Sequence, residues 1–139
     1  MEIKCYDTLP EEAALIRKTV FMEEQGFQKE FDALDSQASH LVVFDDDKPV
    51  ATCRLFLNQG TSHYTVGRIA VVKQYRGQKI GTKLLQAAEE IVKKNNGTSL
   101  FLHAQIRAKE FYEKQGYCPH GEPDWDEDCP HIWMCKKIR

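Results

Sequence analysis

The segment Val66–Thr82, together with the helical pattern that follows it, constrains this chain more than any other feature. It begins as an apolar, β-rich run, passes through a turn with two glycines, and continues into an amphipathic helix predicted from about Lys83 to Lys94. The first N–H groups of a helix have no intrahelical partners and lie at the positive end of the helix dipole. A strand, a glycine-bearing loop and a helix in this order are therefore typical of a phosphate site.

The loop residues support a phosphate site, and their spacing limits its kind. Gly77 and Gly81 let the backbone approach a ligand closely or take a positive φ, while Arg76 and Lys79 add positive charge. A Walker loop has four residues between its first glycine and its Gly-Lys-Ser/Thr, but three residues separate Gly77 from Gly81. A dinucleotide fingerprint needs three glycines, and this loop has two. Both motifs are excluded, and the alternative to a phosphate site is an ordinary charged turn.

The composition predicts one folded domain over residues 1–139, without a nucleic-acid or membrane partner. A chain of 139 residues, 42% hydrophobic and 29% charged, is long enough to bury a core. Its net charge of −2 gives no general attraction for nucleic acid or an anionic membrane, so any phosphate affinity has to be local. The chain has no run of 18 apolar residues, and its five cysteines, an odd number, fit reduced thiols in the cytoplasm better than disulfides.

Two Cys-Pro-His segments, at residues 118–120 and 129–131, raise the question of a four-ligand metal site. In each segment one residue separates the two potential ligands, whereas zinc sites usually have two or more between paired ligands, and the proline stiffens the turn. We therefore expect no bound metal.

The hydrophobic patterns also predict the order of the elements. Strands are predicted over residues 1–6, 40–44, 50–57, 62–72 and 99–104, then from 117, and over 131–136. Helices are predicted over about 10–24, 83–94 and 107–115, with an acidic turn or short helix at 30–35 and an acidic loop at 122–128. A strand–helix–strand crossover in such an order predicts an α/β (α+β) fold. We expect a mixed, mainly antiparallel sheet of six to seven strands flanked by about four helices.

Two motifs in this order resemble those of the GNAT N-acetyltransferases. The loop from Arg76 to Gly81 is similar to the family's acetyl-CoA loop, Gln/Arg-x-x-Gly-x-Gly/Ala, except that Lys79 stands where the family usually has its first glycine. The segment Phe111–Tyr117 resembles the family's Phe-Tyr-x-x-x-Gly-Phe/Tyr signature. Two signatures in the expected order are far more specific than one.

The resemblance extends over nearly the whole chain. Three further features look like the ElaA- and YjcF-like bacterial GNAT proteins: the segment Val20–Phe27, the tail Pro130–Met134, and the set Glu30, Asp32, Asp35 and His40. The resemblance implies a GNAT-like fold and acetyl-CoA as cosubstrate, with a small-molecule or peptide amine as acceptor and a monomer or homodimer as the assembly.

The resemblance also implies which residues bind the cofactor. The backbone of strand residues Ile69, Ala70 and Val71 would pair with the pantetheine amide and offer an N–H to the thioester oxygen. The loop would hold the pyrophosphate, mainly through its backbone groups. These loop residues are Arg76, Gly77, Gln78, Lys79, Ile80, Gly81 and Thr82.

Tyr112 is the expected catalytic acid. Neighbouring helical side chains diverge, so we expect Phe111 to face the core and Tyr112 to direct its hydroxyl at the cofactor's sulfur, as the matching tyrosine does in GNAT enzymes. A phenol can hand its proton to the departing thiolate. The alternative is a tyrosine that only anchors the helix.

The base that frees the amine is open among Glu23, Glu24, Glu30, His103 and His131. His103 is our catalytic candidate, because it ends a predicted buried strand beside the proposed cleft, although a water path could replace it. Cys53 and Cys118 would be nucleophiles only in a ping-pong mechanism, and neither has a recognisable neighbouring base.

Three alternatives remain open. The acidic segments 30–35 and 124–128 either rim a site for a cationic amine or only solubilise loops. An acyl-CoA-binding module without turnover would keep the loop and lack a base. An acyl-homoserine-lactone synthase-like protein is suggested by the segment 20–26, but those relatives run longer.

Overall fold

The computed structural model describes residues 1–138, in which the chain forms a mixed α+β fold with eight strands, mainly antiparallel, and three α-helices. The strands are β1 (Glu2–Tyr6), β2 (Ser39–Asp45), β3 (Lys48–Leu57), β4 (His63–Val71), β5 (Ser99–Gln105), β6 (Cys118–Pro119), β7 (Asp124–Asp126) and β8 (Cys129–Lys137). The α-helices are α1 (Glu11–Arg17), α2 (Ile80–Lys94) and α3 (Lys109–Lys114). A π-helix covers Lys18–Glu24, and 3₁₀ turns cover Ala33–Ser36, Lys73–Tyr75 and Ile106–Ala108. Within residues 1–138, no helix is both long and apolar enough to cross a membrane.

The chain divides into two compact units. The first contains Met1–Phe56 and Val66–Ala88, and the second contains Leu57–Thr65 and the chain from Glu89 onward. Strand β4 and helix α2 therefore each contribute residues to both units.

In the first unit the strand order is β1, β2, β3, β4, and β2 is antiparallel to both β1 and β3. Helix α1 has glutamates in its first turn and Arg17 in its last, which complements the helix dipole. Its apolar face packs on the sheet, because side chains three and four apart share one side of a helix. The resulting core contains Ala13, Ile16, Val20, Phe21, Val42, Phe44 and Ala70.

The helix predicted over 10–24 is in fact two elements. After α1, the chain widens into the π-helix, whose last turn is closed by a bond from the Gln25 N–H to the Val20 carbonyl, 3.2 Å long and five residues apart. Hydrophobic spacing alone does not separate an α-helix from a π-helix, since both leave the same broad face apolar.

In the second unit, β5 is the central strand. Its first residues pair in parallel with His63, Tyr64 and Thr65 of β4, and its whole length pairs antiparallel with β8. Strands β6 and β7 both pair with β8. The buried apolar residues include Leu100, Leu102, Ala104, Ile132 and Met134.

Two predicted boundaries were wrong. Helix α2 begins at Ile80, three residues before the predicted start at Lys83, so Gly81 and Thr82 belong to its first turn. The predicted acidic loop 122–128 contains strand β7, which pairs with β8 across a two-residue turn at Glu127 and Asp128. Asp-Trp-Asp has a weak strand pattern, and its pairing with β8 makes it a strand.

Candidate functional site

The loop before α2 contains two residues with a positive φ, a backbone conformation that favours glycine. Gly77 has φ +82° and Lys79 has φ +62°, in the left-handed region that favours glycine. Lys79 therefore adopts the glycine conformation in spite of its side chain. Helix α2 starts at the next residue, and its first backbone bond runs from the Lys83 N–H to the Lys79 carbonyl, at 3.2 Å. The N–H groups of the first turn consequently lack intrahelical acceptors and are available to an anion.

Two side chains attach this loop to the first unit. The Tyr75 hydroxyl donates to Asp45 Oδ2 at 2.7 Å. Arg76 donates from Nε to the Val71 carbonyl at 2.9 Å, and its two terminal nitrogens contact both carboxylate oxygens of Glu24 at 2.6 and 2.8 Å. The Arg76 and Glu24 side chains are 39% and 36% exposed. Arg76 thus links β4, the loop and the π-helix.

The predicted cofactor-binding residues all lie in the first unit. Ala70 and Ile80 are buried, Ile69, Val71, Gly81 and Thr82 are half-buried, and Arg76, Gly77, Gln78 and Lys79 are exposed. The two predicted catalytic residues, His103 and Tyr112, lie in the second unit.

A cluster of three arginines and three carboxylates lies in the first unit: Arg17, Arg54, Arg68, Glu30, Asp32 and Asp35. We call it the buried ion cluster because four of its members are buried, while Arg68 is half-buried and Asp32 is exposed. Arg17 donates to Glu30 and to Asp35, both at 2.8 Å. Arg54 contacts Asp32 at 2.6 Å and Asp35 at 3.0 Å. Arg68 Nε lies 2.9 Å from Glu30 Oε2. Three positive and three negative groups are thereby matched.

This cluster bears on one open question about the acidic segment 30–35. Glu30 and Asp35 are buried, and each of the three carboxylates is bound by at least two arginines. Glu30 and Asp35 are therefore internal ion-pair partners rather than solubilising charges, whereas the Asp32 side chain is 38% exposed. Within residues 1–138, Arg54 Nε is the buried side-chain N or O atom without a hydrogen-bond partner.

The carboxylates of the cluster titrate differently. Burial acts to raise the pKa of Asp35, but the hydrogen bonds and charges of Arg17 and Arg54 outweigh it and lower the pKa from 3.8 to about 2. The pKa of Asp32 is lowered as well, because Arg54 outweighs burial there. For Glu30 burial prevails over the charges of Arg68 and Arg17, so its pKa is raised.

Sequence reasoning did not identify the three arginines of the buried ion cluster. Arg17 falls on the apolar face of α1, four residues after Ala13, and Arg54 lies between two buried residues of β3. A charged residue inside an apolar pattern needs a buried partner, and the acidic segment was available to provide it. An arginine within an apolar pattern was therefore the sequence signal for a buried ion pair.

In the second unit, the prediction for Phe111 was wrong. Phe111 is 36% exposed, whereas Tyr112 is half-buried, and their rings lie edge to face with centroids 5.1 Å apart. The Tyr112 ring also lies 6.3 Å from that of Tyr117, which is buried and donates to Glu89. Helix α3 has six residues, so it lacks the two full turns over which an apolar face would develop.

His103 is the middle ring of a stack on the β5–β8 ladder. Its ring lies 4.6 Å from that of His131 and 4.8 Å from that of Trp133. Its Nε2 contacts Asp124 Oδ1 at 2.6 Å, an arrangement in which a carboxylate orients an imidazole. Of the other base candidates, Glu24 pairs with Arg76, Glu30 belongs to the buried ion cluster, His131 is buried, and Glu23 is exposed.

The first Cys-Pro-His segment begins in strand β6 at the edge of the sheet, and the second opens β8, which lies between β5 and the short strands β6 and β7. Cys118 pairs with Cys135 of β8, and Cys129 opens β8 opposite Asp126. Within residues 1–138, no group of three or more His, Cys, Asp or Glu side chains is placed to hold a metal ion.

Comparison with known proteins identifies the family. Residues 6–138 match the acetyltransferase (GNAT) domain model. The chain belongs to the GNAT family. It is 32% identical over 128 residues to an uncharacterized N-acetyltransferase, YjcF of Bacillus subtilis (strain 168), with 90% of each chain covered. The crystal structure of Escherichia coli ElaA matches with a TM-score of 0.86 at 25% identity, covering 97% of this chain and 98% of ElaA.

The resemblance to ElaA- and YjcF-like proteins is thus confirmed, and the chain is an acyl-CoA-dependent acetyltransferase of this family. An aminoglycoside 6′-N-acetyltransferase complexed with coenzyme A shares the fold, with a TM-score of 0.78 at 19% identity over 100% of this chain and 98% of that one.

Proposed function

We propose that this GNAT protein transfers an acetyl group from acetyl-CoA to a primary amine of a small molecule or peptide, within a ternary complex. The observation that carries the proposal is the left-handed backbone at Lys79, directly before the start of α2. A lysine takes this conformation at a cost, which supports a role for the turn: it would direct the N–H groups of the first turn of α2 at a pyrophosphate. The aminoglycoside 6′-N-acetyltransferase of the same fold, whose structure contains coenzyme A, supports the choice of ligand.

The phosphates and the pantetheine arm of the cofactor are proposed to bind different residues of the first unit. The first turn of α2 and the loop 76–82 would hold the phosphates, with Arg76 and Lys79 contributing charge. The backbone of Ile69, Ala70 and Val71 would meet the pantetheine arm. Acyl transfer then forms the amine N–C bond and breaks the C–S bond, with the oxyanion stabilised by a β4 N–H.

The acceptor nitrogen loses one proton before attack and a second once the N–C bond has formed, the departing sulfur gains one, and the net proton passes to solvent. The ammonium form of the acceptor loses a proton before attack, and we propose His103, oriented by Asp124, as the group that receives it. The thiolate gains a proton as it leaves, and we propose Tyr112 as the donor, on the strength of the family's Phe-Tyr signature.

Binding and turnover test the proposal separately. Calorimetry with CoA should show binding to the wild-type chain, and Gly81→Val should abolish it, since a β-branched side chain would stand in the first turn of α2 where the phosphates approach. Circular dichroism checks that the Gly81→Val variant is folded. Wild-type affinity in a folded Gly81→Val variant would exclude the close approach of backbone and phosphate.

Turnover is measured as thiol release from acetyl-CoA against a panel of primary amines, with the product identified by mass spectrometry. Tyr112→Phe should keep CoA affinity and lower kcat by roughly 10²-fold if proton donation limits the rate. Loss of stability together with CoA affinity would assign Tyr112 to helix anchoring. CoA binding without amine-dependent thiol release across the panel would favour the acyl-CoA-binding module over the enzyme.

A further inference from the structure

Arg68 stands out on β4 because its backbone is left-handed in the middle of a strand. Its φ is +51°, although the strand runs from His63 to Val71 and the residue is not glycine. A non-glycine residue in this region is unfavourable by roughly 1–2 kcal/mol, and the surrounding structure has to compensate for that cost. Arg68 directly precedes Ile69, the first of the backbone groups assigned above to pantetheine.

The compensating contacts come from the Arg68 side chain. Its Nε lies 2.9 Å from Glu30 Oε2 and donates to the Glu30 carbonyl at 3.2 Å, and its Nη2 lies 3.4 Å from Asp32 Oδ2. Glu30 is 4% exposed and is itself held by Arg17, so the contact is with a fixed group rather than a mobile surface carboxylate.

We propose that Arg68 is a positioning residue: its ion pairs with the buried ion cluster hold the left-handed turn of β4 that presents the backbone of Ile69–Val71 to the pantetheine arm of CoA. This inference rests on the proposed function. Arg68 acts through the strand and touches no reacting atom, so its effect should depend on which part of the cofactor is bound. The phosphates lie at the loop 76–82, away from this turn in the chain.

The test compares two ligands and three substitutions. The ligands are CoA and adenosine 3′-phosphate 5′-diphosphate, which is CoA without pantetheine. The substitutions are Arg68→Ala, which loses the ion pairs and keeps the backbone cost; Arg68→Gly, which loses both; and Arg68→Lys, which keeps the charge. Calorimetry gives the affinities, and urea unfolding gives the stability of each variant.

We expect Arg68→Ala to bind CoA about tenfold more weakly and the adenosine ligand as tightly as wild type does, because only the pantetheine site has lost its support. Arg68→Gly should lose less than about threefold for CoA, since glycine enters the left-handed region freely. Arg68→Lys should fall between alanine and wild type. Steady-state kinetics should show the Arg68→Ala loss mainly in KM for acetyl-CoA.

Several results would overturn the role of Arg68. Equal CoA affinity in the alanine and glycine variants would mean that backbone conformation is not what the side chain controls. An equal loss of affinity for both ligands would indicate general loosening of the first unit. Failure of the wild-type chain to bind either ligand would instead overturn the proposed function, and the positioning role with it.

Discussion

The Arg76–Glu24 pair and the buried ion cluster use the same chemistry in two different surroundings. Arg76 and Glu24 are both more than a third exposed, whereas Arg17 and Glu30 are 1% and 4% exposed. Water competes for the first pair and screens it, so its contribution to folding is small. The buried groups have given up their hydration and depend on one another completely. We therefore expect the exposed pair to open for a ligand at little cost to stability, and the buried groups to serve the fold alone.

The largest expected effect is on stability, from breaking the buried cluster. Arg17→Ala removes one of the two arginines that bind each of Glu30 and Asp35 and should lower the free energy of unfolding by about 3–5 kcal/mol. The matched control is Arg76→Ala, which removes the same side chain from the exposed pair and should change stability by less than about 1 kcal/mol. Urea unfolding measures both variants. Similar losses of stability would mean that burial does not determine how much each arginine contributes to folding.

The exposed pair should instead control ligand affinity. Arg76→Ala should weaken CoA binding by roughly 1.5–3 kcal/mol through the loss of a charge-assisted contact to phosphate. Glu24→Gln removes the competing carboxylate and should strengthen CoA binding severalfold, because the guanidinium is released toward the ligand. Calorimetry with CoA measures the affinity of both variants. Weaker binding in Glu24→Gln would mean that the Arg76–Glu24 pair anchors the loop for the ligand. Unchanged affinity in Arg76→Ala would remove Arg76 from the site.

The free energy of unfolding below about pH 5 should depend on the buried ion cluster. The pKa of Asp35 falls from 3.8 to about 2 on folding, so its contribution to stability is complete above pH 3.8 and is lost as the pH falls toward 2. The raised pKa of Glu30 acts in the opposite direction, since protonation in the folded state is favoured there. Urea unfolding between pH 5 and pH 2 should show a steeper decline in wild type than in Asp35→Asn, which keeps only the contribution of Asp32, and an equal slope in both would contradict the assignment.

The smallest expected effect is at Lys79, where the strain is local. Lys79→Gly should raise the free energy of unfolding by up to about 1 kcal/mol, since it removes the left-handed cost of a side chain that has no resolved ion pair among residues 1–138. Lys79→Ala is the control, because it removes the charge and keeps the β-carbon. Thermal unfolding should place the glycine variant above the alanine variant, and equal midpoints would mean that the φ at this position carries no cost.

The order of the elements and the turn before α2 could be predicted from the sequence because their signals are local. Alternating and helical hydrophobic spacing identifies strands such as β2 and β5 and the helix α2 without reference to the rest of the chain. The same holds for the two motifs that indicated the family, since each is a short run whose spacing reflects a single turn or helix start.

Tertiary structure decided what depends on residues far apart in sequence. Arg17, Arg54 and Arg68 meet their carboxylates across 13 to 38 positions, and nothing local in any one of them identifies its partner. Strand β7 forms because β8 supplies its hydrogen bonds, and Phe111 is exposed because α3 is too short to bury it. Local spacing specifies which face of an element is apolar, but the pairing of buried charges exists only once the chain has folded.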